Sequence, residues 1–295
     1  MLSSIMKPTI AFIGMGTMGS PMAQNLAKNG FNVRGYNRTL SRPLVEQAAK
    51  AGVNICSSIA EVVKDASIVA ICVSDVDDVK TLIFNESGIA QNCQPESLII
   101  DFSTIGPMAA REIDEVLTDQ GLRFLDAPVS GGDVGAQKGT LTIMVGGTKM
   151  NFEEAYPLFQ AIGKTIFHCG MVGSGQAVKL CNQVLCAINL LSVCEAIQLA
   201  QEFSLDPKLM IEVCSTGAAA SWQLVNLGEK VTQSDFAPGF MIKHILKDLR
   251  LVEEIAKDLD LPGLKLADSL FKQVQTLGGS EQGTQAMIRA YREQI

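Results

Sequence analysis

The chain of 295 residues has only two histidines, His168 and His244, too far apart to share metal-ligand spacing. A zinc or iron site therefore has little support, and no metal is expected. Its eight cysteines (Cys56, Cys72, Cys93, Cys169, Cys181, Cys186, Cys194, Cys214) include no Cys-x-x-Cys pair. Most lie in apolar runs such as IVAICV, where a free thiol behaves as a small hydrophobe. That usage fits a reducing compartment and not a disulfide framework. Positive charge is also scarce: 24 Lys and Arg against 31 Asp and Glu leave a net charge of -7. A nucleic-acid partner would call for a basic stripe, so none is expected. No stretch reaches the ~18 uncharged apolar residues of a membrane span, so no membrane partner is expected either. Residues 1–8 lack the basic start, apolar centre and cleavage site of a signal peptide. Met6 is an alternative start, because strand-like sequence begins only at Thr9. A cytoplasmic protein is the simplest expectation.

What is present is an ordinary globular balance, 47% apolar and 19% charged, in a chain long enough for two domains. The first half alternates apolar β-type runs with amphipathic stretches. The strand candidates are TIAFI (9–13), NVRGY (32–36), SIVAICV (67–73) and SLIIDF (97–102), with helical patterns at 19–29, 41–51 and 106–119. Runs apolar on both faces, separated by helices, predict a parallel sheet covered on both sides. Shorter strands are expected around Phe124, at 141–145 and at 165–169. After Gly175 the pattern changes. Residues 176–203 read as one long helix, apolar nearly all round through Val184, Leu185, Ile188, Leu190, Leu191 and Ile197. Further helices are expected at 206–215, 221–233, 242–258 and 264–277, broken at Pro238-Gly239 and Pro262-Gly263. The expected architecture is an α/β Rossmann-type N-terminal domain (1–172) and an all-α C-terminal domain (173–295), joined by the long helix.

Gly14-Met15-Gly16-Thr17-Met18-Gly19 follows the first strand and opens a helix. In that frame Gly14 makes the tight turn, Gly16 admits a pyrophosphate close to the backbone, and Gly19 lets helix and strand pack. The helix N-terminus adds unpaired N–H groups and a positive dipole end. An enzyme specific for NAD usually presents Asp or Glu at the end of the second strand to hold the ribose 2′-OH. This chain has Asn37-Arg38-Thr39 there, which would attract a 2′-phosphate, so NADP is the expected cofactor. The competing account is an exposed turn with a solvated arginine.

Several ordered motifs then resemble one family, the β-hydroxyacid dehydrogenases, which includes 3-hydroxyisobutyrate dehydrogenase and the tartronate, glyoxylate and succinic semialdehyde reductases. They are the opening IAFIGMGTMGSPMAQNLAKNGF, the segment Asp126-Ala127-Pro128-Val129-Ser130-Gly131-Gly132, the segment Gly170-Met171-Val172-Gly173-Ser174-Gly175 with Lys179 and Asn182, and Lys247-Asp248. The resemblance spans essentially the whole chain. It implies that Lys179 and Asn182 are catalytic, and that Ser130, Gly131 and Gly132 hold a substrate carboxylate. It further implies that Thr104 meets the nicotinamide side of the cofactor and that Lys247 reaches cofactor and substrate. Asp126 looks structural in the family. Phe240 is a candidate wall of the substrate pocket, and a homodimer or homotetramer is implied.

The residues suit that chemistry. Reducing a carbonyl places negative charge on oxygen, which calls for a positioned proton donor. A lysine can donate that proton and stabilise the charge beforehand. Asn182, three residues on, shares its helix face. Thr104 has a second reading as the cap of the helix near Pro107. Three other accounts stand beside the main one: a 6-phosphogluconate dehydrogenase-like enzyme, whose helical part is much longer, an imine reductase-like enzyme, which typically lacks the lysine, and a non-catalytic NADP-binding scaffold. Two cues to the substrate branch disagree. GAAASWQLVN (217–226) resembles the hydroxyisobutyrate and tartronate enzymes, whereas the Asn-Arg-Thr turn resembles the glyoxylate and succinic semialdehyde reductases.

Overall fold

The computed structural model describes residues 8–293; the choice between Met1 and Met6 as start lies outside the described residues. The chain divides into two compact units between Lys179 and Leu180, inside the helix Ser174–Glu202.

The first unit is built on nine strands: β1 (Thr9–Ile13), β2 (Asn32–Tyr36), β3 (Asn54–Ile55), β4 (Ile68–Ile71), β5 (Leu98–Asp101), β6 (Arg123–Asp126), β7 (Val129–Ser130), β8 (Leu141–Gly146) and β9 (Gly163–Gly170). They form one sheet in the order β3-β2-β1-β4-β5-β6-β8-β7, with β9 on β8. From β3 to β6 every pairing is parallel. Alternate residues of the apolar runs feed two cores. Ile10 and Phe12 of β1 point to one, Ala11 and Ile13 to the other, which is why these strands carry no polar face. This is the doubly wound α/β fold that the alternating runs predict. In such a sheet a dinucleotide binds beyond the carboxyl ends of the strands where the order reverses, here around β1 and β4.

The second unit is helical: Pro207–Cys214, Trp222–Gln233, Ile242–Ile255, Pro262–Thr276, a 3₁₀ turn at Thr284–Ile288 and Arg289–Arg292, after the long helix. Among the described residues it contains one isolated bridge, Met241 to Gly283, and no strand. The break expected at Pro262-Gly263 falls just ahead of it, at 256–261, and Pro262 opens the next helix in its first turn, where its missing N–H costs nothing. The two-residue strands β3 and β7 and the helix Lys149–Ile162 are additions to the sequence-based picture. That last helix is announced by Thr148, whose hydroxyl accepts from the N–H of Asn151 at 3.2 Å. By length and composition the helix Ser174–Glu202 could cross a membrane. It is also the helix that buries Gln176, Lys179 and Gln183, polar groups with hydrogen-bond partners inside the protein.

Candidate active site

The glycine loop is shaped by contacts that tolerate no side chain at two positions. Gly14 has φ +93°, and a Cβ there would lie 2.2 Å from the carbonyl oxygen of Cys72. At Gly19 a Cβ would lie 1.9 Å from the oxygen of Gly14, so the helix Gly19–Lys28 can start only with glycine. Gly16 faces open space on its Cβ side, the close approach that a pyrophosphate needs. Met15 is fully buried, and its N–H is spent on Asn37, so it shapes the loop from beneath. The first turn of the helix carries no acidic residue, so its positive end remains suited to phosphate.

Beyond β2, Asn37 is buried. Its Oδ1 accepts from the Met15 N–H at 3.0 Å, and its Nδ2 donates to the oxygen of Thr39 at 2.8 Å. The amide thus ties the end of β2 to the glycine loop. Arg38 is exposed, with its guanidinium 3.8 Å from Asp78 in the helix Val76–Phe84. Sequence reasoning missed that carboxylate, which lies forty positions away in the chain.

Beyond β5, Ser103 is held on both sides. Its N–H donates to Asp101 at 2.9 Å, and its hydroxyl accepts from the Val73 N–H at 2.9 Å. Thr104 follows, half-buried. It does not cap the next helix, because the cap position of Pro107–Asp119 is Gly106, with φ 78° and no side-chain cap.

Beyond β6, Asp126 is fully buried and accepts from the N–H groups of Gly173 (2.7 Å) and Gln176 (2.8 Å). Burial pushes its carboxyl above the usual range, opposed by these backbone donors. This fits the structural role that the resemblance implies. The chain then turns through Ser130 into Gly131 (φ 129°) and Gly132 (φ 62°), both in the positive-φ region. Lys179 is 7% exposed, and its Nζ donates to the oxygen of Val129 at 2.9 Å. The ammonium therefore sits against the residue that precedes Ser130.

In the helical unit, the Asn182 amide donates to Oε1 of Gln183 at 2.9 Å. Gln183 in turn donates to Asp248 Oδ2 at 2.5 Å, and the other carboxylate oxygen holds Lys247 at 2.8 Å. Asn182 and Lys247, expected as site residues from separate motifs, thus meet at Asp248, the first through hydrogen bonds and the second through an ion pair. The two connectors, Gln183 and Asp248, were not anticipated as site residues. Phe240 stacks on His244, with ring centroids 6.0 Å apart. Burial holds the His244 imidazole below its usual pKa, helped by Lys243 and Lys247. One signal could have found the glutamines. Gln176, Lys179, Asn182 and Gln183 form a polar stripe at helical spacing in the first half of a mostly apolar helix.

Comparison with known proteins gives the family. Residues 9–170 match the NAD binding domain of 6-phosphogluconate dehydrogenase. Residues 173–291 match the NAD-binding domain described for NADP-dependent 3-hydroxyisobutyrate dehydrogenase. An uncharacterized oxidoreductase of Synechocystis is 60% identical over 284 residues, 96% of this chain and 98% of that one. An NAD-dependent L-serine dehydrogenase of Pseudomonas aeruginosa is 36% identical, covering 92% of this chain and 94% of its own. Among solved structures, the Mycobacterium tuberculosis 3-hydroxyisobutyrate dehydrogenase with L-serine superimposes with a TM-score of 0.87 at 30% identity, covering 97% of this chain and all of that one. The chain belongs to the 3-hydroxyisobutyrate dehydrogenase family of NAD(P)-dependent β-hydroxyacid dehydrogenases.

Proposed function

We propose that this enzyme moves a hydride between NADP(H) and a small carboxylate-bearing aldehyde or its hydroxyacid, with Lys179 as proton donor. The observation that carries this is the buried Lys179 ammonium, hydrogen-bonded beside the Ser130-Gly131-Gly132 turn. A bound dinucleotide would supply the hydride from its nicotinamide, and its phosphates would fit the glycine loop, where Gly16 leaves open space and the helix start carries no carboxylate. Ser130 and the adjoining backbone N–H groups bind the substrate carboxylate. Lys179 stabilises the oxyanion as it develops and then protonates it. Asn182, whose amide is braced by Gln183, orients the substrate. Lys247, paired with Asp248 at 2.8 Å, is a second positive charge among the binding groups. Thr104 meets the nicotinamide.

The direct test is a panel of glyoxylate, succinic semialdehyde, tartronate semialdehyde and 3-hydroxyisobutyrate with each nucleotide. Turnover with NADPH supports the assignment. Nucleotide binding without any turnover would identify a scaffold instead. Within the active enzyme, Asn182→Ala is expected to lower kcat/KM by about tenfold, less than loss of Lys179, because orientation suffers while the donor remains. A loss as large as that of Lys179→Ala would overturn this division of roles.

We further propose a homodimer or homotetramer built through the helical unit. That unit leaves Leu185, Leu199, Phe203, Val213, Trp222 and Leu259 more than half exposed, more apolar surface than a small helical unit usually presents to water. Sedimentation at micromolar concentration is expected to give a multiple of the 31.6 kDa chain mass. A stable monomer would refute this.

A further inference from the structure

One fully buried side chain in the first unit makes more structural connections than any role assigned above explains. Gln176 lies in the first turn of the helix Ser174–Glu202, three residues before Lys179. Its Oε1 accepts from the N–H groups of Ile105 (3.0 Å) and Gly106 (3.1 Å). Its Nε2 donates to the carbonyl oxygen of Ser103 at 2.8 Å. Both lone pairs of the amide oxygen and one amide hydrogen are thus spent on a single four-residue loop. The orientation of the amide is fixed, because a flip would set N–H against two N–H groups.

That loop is the one that carries Thr104. On its sheet side it is anchored by Asp101 and by the Ser103 hydroxyl. On its other side Gln176 holds it. The two N–H groups just ahead of the next helix, those of Ile105 and Gly106, both donate to Gln176. The backbone of Gln176 is fixed as well, by Asp126 Oδ2. Asp126 also takes the N–H of Gly173 and ends the strand β6 that leads to Val129 and Ser130. A Cβ at Gly175 would lie 2.2 Å from the oxygen of Met144, so the helix start packs on β8 at a distance that only glycine allows. Lys179 is one turn on, about 4.5 Å along the axis, with its ammonium on Val129.

We propose that Gln176 is a positioning residue for hydride transfer. It locks the Ser103–Gly106 loop to the first turn of the lysine helix, and so sets the proton donor in register with the nicotinamide-facing threonine. The inference rests on the proposed function and adds to it the link between two of its parts. A misplacement of about 1 Å can cost about a hundredfold in rate, and an apolar side chain at 176 would free the loop to move by such amounts.

The test uses Gln176→Met, which keeps length and loses all three hydrogen bonds, and Gln176→Glu, which keeps the acceptor. In Gln176→Met, single-turnover hydride transfer at saturating NADPH is expected to fall about tenfold to a hundredfold. The Kd for NADPH should change less than threefold, since the phosphates bind at the glycine loop. Amide hydrogen exchange at Ile105 and Gly106 should accelerate in Gln176→Met and stay slow in Gln176→Glu, a readout independent of turnover. The glutamate variant adds a pH signature. Its neutral acid can donate to the oxygen of Ser103 and accept as the amide does, whereas its anion cannot donate. Asp126, which holds the backbone of residue 176, Asp101, which holds Ser103, and Lys179, one turn on, are titratable groups on the elements packed around it, as are Arg123 on β6 and Arg111, Glu112 and Asp114 on the helix that follows the loop. Transfer by Gln176→Glu is therefore expected to decline as pH rises through a pKa that the parent profile lacks.

Parent-like transfer in Gln176→Met overturns the positioning role and leaves the proposed function intact. Equal losses of transfer and NADPH affinity in both variants, with no new pKa, make Gln176 a purely structural residue and also overturn it. A parent enzyme inactive on the whole substrate panel overturns the proposed function and this inference together.

Discussion

Replacing Lys179 with Ala is expected to reduce kcat by ~10²–10⁴-fold while NADPH binding stays nearly unchanged. The range is the usual contribution of a positioned general acid, and loss of the ammonium's charge stabilisation drives the effect toward its upper end. Nucleotide affinity should survive because the phosphates are expected at the glycine loop, at the carboxyl end of β1, and not at the lysine. Lys179→Arg should not restore activity. It keeps the charge but is too weak an acid to deliver a proton near neutral pH, and its planar fork must fit where a single Nζ reaches the Val129 oxygen at 2.9 Å. Both variants remove the ammonium from that contact, and a buried carbonyl left without its donor costs about 1–3 kcal/mol of stability. Melting temperatures therefore belong beside the kinetics, to separate a lost donor from a weakened fold. The decisive measurement is single-turnover hydride transfer in Lys179→Ala with NADPH saturating. A rate within threefold of the parent would show that another group supplies the proton.

The parts of this molecule legible in the sequence are those with local causes. A G-x-G-x-x-G turn after an apolar run needs only its own steric logic, and the clashes that a Cβ would meet at Gly14 and Gly19 bear that logic out. The parallel sheet was visible because β4 and β5 bury every residue and so show no alternation. Strands β3 and β7 were invisible for the opposite reason: two residues cannot display a period. The long helix was plain from its uninterrupted apolar run. What its polar stripe does was not, because each partner is remote in sequence. Gln176 reaches back about seventy residues, and Gln183 forward by sixty-five. Asn37 illustrates the same limit. Its position at the end of β2 suggested a phosphate contact, yet its amide is engaged by Met15 and Thr39, a fact that only the folded loop reveals. Local rules thus single out the glycine loop and the lysine as candidates. Tertiary hydrogen bonds determine how they are held.

Arg38→Ala is expected to raise KM for NADPH at least tenfold and to leave NADH use almost untouched. A charge-assisted contact to a phosphate is worth on the order of 1.5–3 kcal/mol, and each 1.4 kcal/mol is about a factor of ten. The guanidinium is well placed for the role, exposed at the turn beyond β2 where the 2′-position of a bound ribose falls in this architecture. It is not unopposed. Asp78 lies 3.8 Å away, in the first turn of a helix whose positive end favours a carboxylate. A 2′-phosphate must share or displace that partner, and its own charge is repelled by it. The same carboxylate does not penalise NADH, which brings no phosphate to the turn. Asp78→Asn is therefore expected to lower KM for NADPH by a few-fold, the scale of an exposed ion pair, and to widen the preference over NADH. In Arg38→Ala, the Asp78→Asn change should still help NADPH, by removing repulsion alone. The four enzymes, assayed with both nucleotides at low and physiological salt, form a complete cycle, and the Arg38 effect should shrink as salt rises. Equal use of NADPH and NADH by the parent enzyme would remove the basis for the Arg38 assignment, and an unchanged NADPH KM in Arg38→Ala would place the phosphate elsewhere.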